Sequence, residues 1–329
     1  MGENYRFPGI PVGWYAVSTS DEVKAGDVRT LKYFGEELIL YRTESGEAHL
    51  TGAYCPHMGA HLAKSSVDGE NLECPFHGFQ FGTDGRCVRA YGKSVPRKAK
   101  LETWPIREHN GYIFAWYHPQ GLQPEWEIPT LPGPEEGWTK FRTRAIEVLS
   151  HPQETSENSV DVGHFVQLHG FGDAWYEGEL DIQGHLLKGG YGIKYVLPGI
   201  KVAFTAKFKV EVHGLGYSLV RVTVPRFDAQ INLLVLSTPI DNGKIVLRTS
   251  ASVRNWGPRA WTYFVREAAG MGLNREVGQD APIWETKRYL ERPILAEGDG
   301  PIAEYRRYCK QFYPQQAESI TTKLPVVAA

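Results

Sequence analysis

Two short segments in the N-terminal third of the chain each pair a cysteine with a histidine. The first reads Cys55-Pro-His57 and the second reads Cys74-Pro-Phe-His77, with sixteen residues between them. Thiolates and imidazoles are the ligands of structural zinc ions and of certain iron–sulfur clusters. A glycine closely follows each pair, at Gly59 and Gly78, and allows a tight turn there. The spacing therefore predicts two loops that together hold one metal centre.

Two kinds of centre use two cysteines and two histidines. A zinc site of this composition usually separates its first pair of ligands by two to four residues, whereas only Pro56 lies between Cys55 and His57. In a Rieske [2Fe-2S] cluster, two histidines replace two cysteines on one iron, which raises the reduction potential to roughly −150 to +300 mV. The near-duplication of the two loops favours the Rieske cluster, which accepts and passes on single electrons. Zinc is the alternative.

Two further histidines follow an acid in the middle of the chain. His164 comes three residues after Asp161, so the two share one face of a helix. His169 comes five residues after His164, about 140° away around a regular helix. Both histidines can bind one ion if the helix widens locally, as it does at π-bulges. They can also do so if His169 lies past the helix end, which Gly170 would allow.

A carboxylate would complete the facial triad of non-haem Fe(II) oxygenases, which has two histidines and leaves positions for O2 and substrate. The candidate is Asp280, which follows Gln279 and precedes Ala-Pro-Ile-Trp284. The spacing alone does not select it, because the chain contains many carboxylates. Structural histidines would also explain the His164/His169 pair. From the residues alone, the second metal site therefore stays open.

Patterns of apolar residues and turn signals predict the elements that position these side chains. The first part of the chain reads as short strands separated by turns, with strands at 37–41 and 111–116. A stretch rich in proline and glycine at 117–140 is typical of a linker. Beyond it, the periodicity predicts helices at 152–168 and 258–291. It also predicts antiparallel strands, near 201–212, 217–224, 231–238 and 244–254. The prediction is an α+β protein with two domains, at 1–120 and 121–329.

The overall composition limits the partners of the chain. Its 329 residues include 36 basic and 38 acidic side chains, and the formal net charge of −2 gives no reason to expect nucleic acid or an anionic membrane surface as a partner. No apolar run approaches the ~20 residues of a membrane span, and the start shows no signal-peptide stretch. We therefore expect a cytoplasmic protein. Cys87 and Cys309 have no His or Cys partner at ligand spacing, so we expect packed or inert thiols. His61, four residues past His57, is expected to be a polar loop residue rather than a ligand.

Taken in order, the two Cys/His loops, the Asn-x-x-Asp-x-x-His-x4-His segment and the Gln-Asp-x-x-Ile-Trp segment resemble the oxygenase subunits of Rieske non-haem iron oxygenases. The resemblance extends over roughly residues 10–315. Three stretches are similar in particular to the 3-ketosteroid 9α-hydroxylase oxygenases and the cholesterol 7-desaturases of the Neverland type. They are residues 55–62, 74–87 and 299–308.

The resemblance implies a role for each candidate residue. His164, His169 and Asp280 would hold the mononuclear iron. Asp161 would bridge the iron site to a Rieske histidine of the neighbouring subunit, and Asn158 would lie near the iron. The implied fold is an all-β Rieske domain followed by a catalytic domain with a helix-flanked antiparallel sheet. The implied assembly is a head-to-tail homotrimer, in which ring closure places each cluster beside a neighbour's iron.

The implied chemistry is the activation of O2 at Fe(II), with electrons delivered through the cluster. Gly214-Leu-Gly216 lies among strands and lacks the third glycine and the following helix of a dinucleotide site. We therefore expect NAD(P)H to act through a separate reductase, with or without a ferredoxin.

The resemblance favours a bulky, sterol-like hydrophobic substrate that is hydroxylated or desaturated. Apolar side chains would wall its cavity, although a sheet also needs such residues as ordinary core; they are Val202, Phe204, Ala206, Phe208, Ile245, Leu247, Val160, Phe165 and Leu168. The alternative within the superfamily is O- or N-dealkylation of a smaller aromatic substrate. The alternative of another class is a non-catalytic Rieske electron-transfer protein, which would leave Asp161, His164, His169 and Asp280 without a purpose.

Overall fold

The structure is a computed structural model that describes residues 7–92, 94–196, 203–255, 257–296 and 298–314. Backbone contacts divide the chain into two compact units. One unit is Trp14–Thr130, and the other joins Met1–Gly13 to Leu131–Ala329. Within the described residues, no helix combines the length and the apolarity that crossing a membrane requires.

The unit Trp14–Thr130 is built from short strands. They are β1 (Gly13–Thr19), β2 (Val28–Tyr33), β3 (Glu36–Arg42), β4 (Ala48–Gly52), β5 (Ser66–Asp68), β6 (Asn71–Glu73), β7 (Gln80–Phe81), β8 (Cys87–Arg89), β9 (Thr103–Trp104), β10 (Ile106–His109) and β11 (Tyr112–Tyr117). Three sheets result, with strand orders β1-β11-β10, β2-β3-β4-β9 and β5-β6-β7-β8. The all-β module predicted from the sequence is confirmed.

The strands predicted at 37–41 and 111–116 coincide with β3 and β11. The side chains from Leu38 to Tyr41 are completely buried, as a run of branched and aromatic residues in a central strand should be. Asn110 and Gly111 join β10 to β11 with φ angles of 57° and 81°. Two consecutive positive φ angles are the signature of the hairpin turns that Asn-Gly pairs favour.

The sheet β5-β6-β7-β8 carries the second Cys/His loop, which connects β6 to β7. Its core includes Leu62, Leu72 and Phe81, all with no exposed side-chain surface. Gly85 turns the chain between β7 and β8 with a φ of +80°, and a Cβ there would lie 2.4 Å from the carbonyl oxygen of Leu101. Only glycine suits this turn, because it needs both the left-handed backbone and the close approach.

The larger unit is organised around one antiparallel sheet. Its strands are β12 (Arg142–Val148), β13 (Asp173–Tyr176), β14 (Asp181–Gln183), β15 (Leu186–Val196), β16 (Ala203–His213), β17 (Tyr217–Val224), β18 (Ala229–Pro239) and β19 (Ile245–Val253). The order is β12-β19-β18-β17-β16-β15-β13, with β14 also pairing with β15. The four strands predicted from period-two patterns are β16 to β19, and Val202 lies outside the described residues.

The strand β16 shows the alternation that its sequence predicts. Phe208 and Val210 are buried, while Lys207 and Lys209 between them are exposed. Successive side chains of a strand point to opposite faces, so one face of this strand is apolar and the other is solvated. The apolar face is available to bury a helix or to line a cavity.

Helices flank this sheet, as the fold prediction requires. They are α1 (Pro152–Glu157), α2 (Gly163–Gln167), α3 (Arg259–Thr286) and α4 (Ile302–Cys309). The long helix α3 packs on β12 and β19, where Val277 and Trp284 contact the buried side chains of Val148, Ile245 and Leu247. Most of the helix predicted at 258–291 is therefore confirmed, although it ends at Thr286.

The prediction of one continuous helix over 152–168 is wrong. Two short helices, α1 and α2, are separated by residues 158–162. The Oδ1 atom of Asp161 accepts hydrogen bonds from the backbone N–H groups of Gly163 and His164, at 3.1 and 3.4 Å. Short polar side chains that bond nearby backbone donors compete with helical hydrogen bonds. The break places Asn158 and Asp161 in a loop between the helices.

Candidate metal centres

The two Cys/His loops have the same backbone geometry. In the first loop, the Cys55 N–H donates to the Ala60 carbonyl, and the Gly59 N–H donates back to the Cys55 carbonyl. In the second, the same two bonds join Cys74 to Phe79 and Gly78 to Cys74. Gly59 and Gly78 have φ angles of +74° and +66°. The predicted need for a glycine after each pair is therefore met.

The four predicted ligands of the first centre form two pairs that link these loops. Cys55 and Cys74 are buried, free thiols that interact directly with each other. The imidazoles of His57 and His77 lie 4.7 Å apart at 73°, and the His57 ring stacks on Phe79 at 4.2 Å. The structure thus brings the two thiols together and the two imidazoles together, with one member of each pair from each loop.

The electrostatics of this group suit a cationic centre. Burial, more than the neighbouring Cys74 thiol, raises the pKa of Cys55 to about 11. A buried thiolate therefore needs a positive partner, and a coordinating metal deprotonates a thiol. The group has two adjoining thiols and two adjoining imidazoles. That composition fits a Rieske cluster, in which one iron has two cysteine ligands and the other has two histidine ligands.

The other cysteines and His61 lie outside this group. The thiol of Cys87 donates to the Arg89 carbonyl at 3.2 Å, and Cys309 is buried in the other unit. His61 is half-buried, and its Nδ1 atom accepts a hydrogen bond from the Ala63 N–H. These positions match the packed thiols and the polar loop residue expected from the sequence.

The second centre forms in the larger unit. The donor atoms of His164, His169 and Asp280 all lie within 4.8 Å of one another. The Nε2 atom of His169 is 3.5 Å from Oδ1 of Asp280, and the two imidazole rings are 5.0 Å apart at 78°. His164 lies in α2 and Asp280 in α3, whereas His169 lies past the end of α2. Gly170 follows with a φ of +72°, so the helix ends rather than widens.

Neighbouring side chains orient these three groups. The Nδ1 atom of His169 lies 3.0 Å from Oε1 of Gln279, which fixes Nδ1 as the protonated nitrogen and leaves Nε2 free. The Nδ1 atom of His164 is buried without a hydrogen bond among the described residues and lies 3.5 Å from Oδ2 of Asp161. Such outer contacts fix the tautomer and ring orientation of metal-binding histidines. The contact between Gln279 and His169 was not predicted from the sequence, although Gln279 directly precedes Asp280.

Burial at this site disfavours the charged forms of Asp280 and His169. Burial raises the pKa of Asp280 to about 6, although His164 and the side chain of Asn158 act in the opposite direction. Burial also lowers the pKa of His169, which favours the neutral imidazole that a metal requires. Burial acts against the charge of Asp161, but its contacts with His164 and the backbone outweigh that effect and lower its pKa. Two imidazoles and a carboxylate are the donor set of non-haem iron oxygenases.

A mostly apolar cavity opens from this donor set. It is lined by apolar and aromatic side chains, together with a few polar ones; they are Phe165, Tyr191, Phe208, Val220, Leu233, Val235, Leu273, Val277, Trp284, Thr155, Asn158, Ser159, Ser218 and Glu276. Such cavities bind small apolar molecules and orient them with a few polar groups. Most of these lining residues, including Glu276, were not predicted from the sequence.

The predicted cavity wall is only partly correct. Phe165 and Phe208 line the cavity, but Ile245 and Leu247 are completely buried in the core beneath α3. The other described residues of the predicted wall are also absent from the lining; they are Phe204, Ala206, Val160 and Leu168. Periodicity identified the buried face of each strand, but it does not distinguish core from cavity.

Family models match almost the whole chain. The Rieske [2Fe-2S] domain matches residues 13–105, and the 3-ketosteroid 9alpha-hydroxylase C-terminal domain matches residues 115–313. A cholesterol 7-desaturase of Ciona intestinalis is 31% identical, over 96% of this chain and 71% of the relative. The oxygenase component of a Rhodococcus rhodochrous 3-ketosteroid-9-alpha-monooxygenase is 28% identical, over 92% and 83%.

Solved structures have the same fold. Dicamba monooxygenase with non-haem iron and dicamba aligns with a TM-score of 0.72 at 19% identity, over 96% of this chain and 100% of that one. The Pseudomonas putida CBB5 protein NdmA with caffeine aligns with a TM-score of 0.72 at 17% identity, over 93% and 91%. The two donor groups and these matches show that the chain belongs to the Rieske non-haem iron oxygenases related to 3-ketosteroid 9α-hydroxylases and cholesterol 7-desaturases, which are oxidoreductases with a [2Fe-2S] cluster and a mononuclear iron.

Proposed function

We propose that this chain is the terminal oxygenase that hydroxylates or desaturates a bulky, sterol-like molecule. The observation that carries this proposal is the position of His164, His169 and Asp280 at a mostly apolar cavity. Its relatives are named for cholesterol and 3-ketosteroids, which are largely apolar molecules, as the lining of this cavity is largely apolar. Electrons come from NAD(P)H through a separate reductase, with or without a ferredoxin.

In this proposal, Cys55, Cys74, His57 and His77 hold the cluster, and His164, His169 and Asp280 hold the iron. When bound, the cluster supplies single electrons and the iron supplies a site for O2 and for oxidation of the substrate. Three side chains leave part of the coordination sphere open, as a catalytic rather than structural metal site requires.

The remaining residues orient these ligands and exclude water. Gln279 holds the His169 ring through Nδ1, and Asn158 contacts the carboxylate of Asp280. Phe165, Tyr191 and Trp284 cover the cavity side of the site with aromatic surface. A substrate that fills this space displaces water from the site, which strengthens the polar contacts within it.

Asp161 is the residue proposed to connect two subunits of a homotrimer. One of its oxygens faces His164 Nδ1, and the side chain keeps 31% of its surface exposed. A carboxylate accepts several hydrogen bonds, so the exposed part of this side chain is available to a Rieske histidine of the neighbouring subunit. A head-to-tail ring of three chains would repeat this contact at each interface.

The cytoplasmic location expected from the sequence stays a prediction.

A reductase-coupled assay tests the substrate class. We expect cholesterol and a 3-ketosteroid each to stimulate NAD(P)H and O2 consumption and to yield a hydroxylated or desaturated product, because the cavity is mostly apolar. Mass spectrometry identifies the product, and the His164→Ala variant controls for consumption without turnover. If small aromatic ethers or amines are dealkylated and sterols neither bind nor stimulate consumption, the sterol proposal is wrong.

The cluster ligands are tested by the variant Cys55→Ser. Purified anaerobically, the wild-type protein should be red-brown and should give the EPR signal of a reduced Rieske cluster. The variant should lose colour and signal together, because serine cannot replace the buried thiolate. Cys87→Ser is the matched control and should keep both properties. A colourless wild-type protein with one zinc per chain would refute the cluster assignment.

Iron content separates the oxygenase from a non-catalytic electron carrier. A Rieske carrier would hold about two irons per chain, whereas the oxygenase would hold about three. The carrier would also leave the convergence of His164, His169 and Asp280 unexplained.

A further inference from the structure

One more acid faces the cavity beside the three predicted iron ligands. Glu276 lies on α3 four residues before Asp280, which is about 6 Å along the helix, and its side chain lines the cavity. It is not one of the side chains whose donor atoms lie within 4.8 Å of one another. Glu276 therefore adjoins the metal ligands without belonging to them.

The carboxyl of Glu276 has no hydrogen-bond or ion-pair partner among the residues that the structure describes. Burial, together with the nearby charge of Asp280, raises its pKa to about 7, although the charges of His164 and Arg275 act in the opposite direction. An acid in largely apolar surroundings is costly unless it finds a hydrogen-bonding partner. The surface around it belongs to the cavity, so the partner has to come from the contents of the cavity.

The other polar side chains of the cavity are already engaged or lack a charge. The hydroxyl of Thr155 lies 2.6 Å from that of Ser237, and Asn158 contacts Asp280. The other hydroxyl groups of the lining are neutral; they belong to Ser159, Tyr191 and Ser218. Among these groups, Glu276 is the one that offers an unsatisfied acid to a ligand.

We propose that Glu276 determines specificity by binding a hydroxyl group of the substrate, close to the carbon that is oxidised. The inference rests on the proposed function and adds which group of the substrate is recognised. A hydroxyl both donates and accepts hydrogen bonds, so it pairs with the carboxyl in either protonation state. A keto oxygen pairs only with the protonated acid, and a hydrocarbon leaves the carboxyl unpaired.

Matched ligands and variants test this role through binding, independently of turnover. The ligands are cholesterol, its deoxy analogue cholest-5-ene and its keto analogue cholest-5-en-3-one, each delivered in cyclodextrin and measured by equilibrium dialysis. The wild-type protein should bind cholesterol at least tenfold more tightly than cholest-5-ene, a difference of about 1.4 kcal/mol. In Glu276→Leu, the two affinities should agree within threefold, with cholest-5-ene bound at least as well as by the wild type.

Two further variants separate recognition from a structural effect. Glu276→Gln should keep part of the preference for cholesterol, because its amide also donates and accepts hydrogen bonds. Glu285→Leu, an exposed acid on the same helix, should keep the wild-type preference. A Glu276→Leu protein that still discriminates tenfold, or a wild-type protein that binds the two sterols equally, would overturn the role of Glu276. Binding of the keto analogue as tight as that of cholesterol would overturn the assignment to a hydroxyl.

Failure of the proposed function gives a different result. If the wild-type protein binds none of the three steroids, the substrate class is wrong, and the same comparison is made with 4-methoxyphenol and 4-methoxytoluene. A preference for the phenol that Glu276→Leu abolishes would support the hydroxyl-binding role with a smaller substrate. Equal binding of the two aromatics would overturn that role.

Discussion

Replacing Asp280 with alanine is expected to remove the mononuclear iron and all measurable turnover while the cluster remains. Asp280 is the only carboxylate in the group of donor atoms that lie within 4.8 Å of one another among the described residues. Burial raises the pKa of Asp280 to about 6, so a nearby positive charge is needed to stabilise its ionised form. Without it, two neutral imidazoles would have to hold Fe(II) alone.

The measurement combines metal analysis with spectroscopy. Iron should fall from about three to about two per chain, while the visible and EPR spectra of the cluster stay at wild-type intensity. His164→Ala and His169→Ala should behave in the same way. Asp280→Asn keeps the shape of the side chain without its charge, and it should bind iron more weakly than the wild type.

Glu285 provides the matched control, because it is an exposed acid on the same helix. Glu285→Ala should keep its iron and its turnover. If Asp280→Ala retains full activity and Glu285→Ala loses iron, the third ligand is Glu285 and the assignment to Asp280 is wrong.

At each metal centre, the distance between the ligands along the chain explains which of them the sequence predicts. The Rieske loops are local: each contributes a thiol and an imidazole within three or four residues, so spacing alone indicated the cluster. The mononuclear site is not local, because Asp280 lies more than a hundred residues after His169. Periodicity cannot bring α2 and α3 together. Only the resemblance to a family selected this carboxylate, and the structure places it beside His169.

The strand β16 was predictable because its side chains alternate between a buried and a solvated face. The break between α1 and α2 was not predictable, since helical periodicity continues through residues 158–162. The break coincides with hydrogen bonds from the backbone N–H groups of Gly163 and His164 to the Asp161 side chain. The cavity was also missed. Phe208 lines it and Leu247 is core, although both are apolar residues of central strands. Whether such a residue lines the cavity or belongs to the core depends on which element packs above the sheet. The sequence of a single strand does not contain that information.

Replacing Asp161 with asparagine is expected to lower turnover by about 10- to 100-fold, the usual effect of removing a group that orients metal ligands. Both metals should remain, and the reductase should still reduce the cluster. The asparagine Oδ1 can still accept from the backbone of Gly163 and His164, as Asp161 does, so the loop should be preserved. The loss of turnover is therefore assigned to the missing carboxylate charge of Asp161, which holds two imidazoles together. Asp173→Asn, an exposed acid nearby in sequence, should have wild-type turnover.

Mixed trimers show whether Asp161 acts between subunits. Cys55→Ser chains should keep an iron but lack a cluster, and His164→Ala chains should keep a cluster but lack the iron, so we expect each to be inactive alone. If electrons pass between neighbouring subunits, co-assembled trimers of the two variants should recover turnover. Adding Asp161→Asn to the Cys55→Ser chain should lower the recovered turnover by about 10- to 100-fold, whereas adding it to the His164→Ala chain should not, because Asp161 acts beside the iron of its own chain. Mixed trimers without any turnover, or a fully active monomer in light scattering, would refute the bridge between subunits.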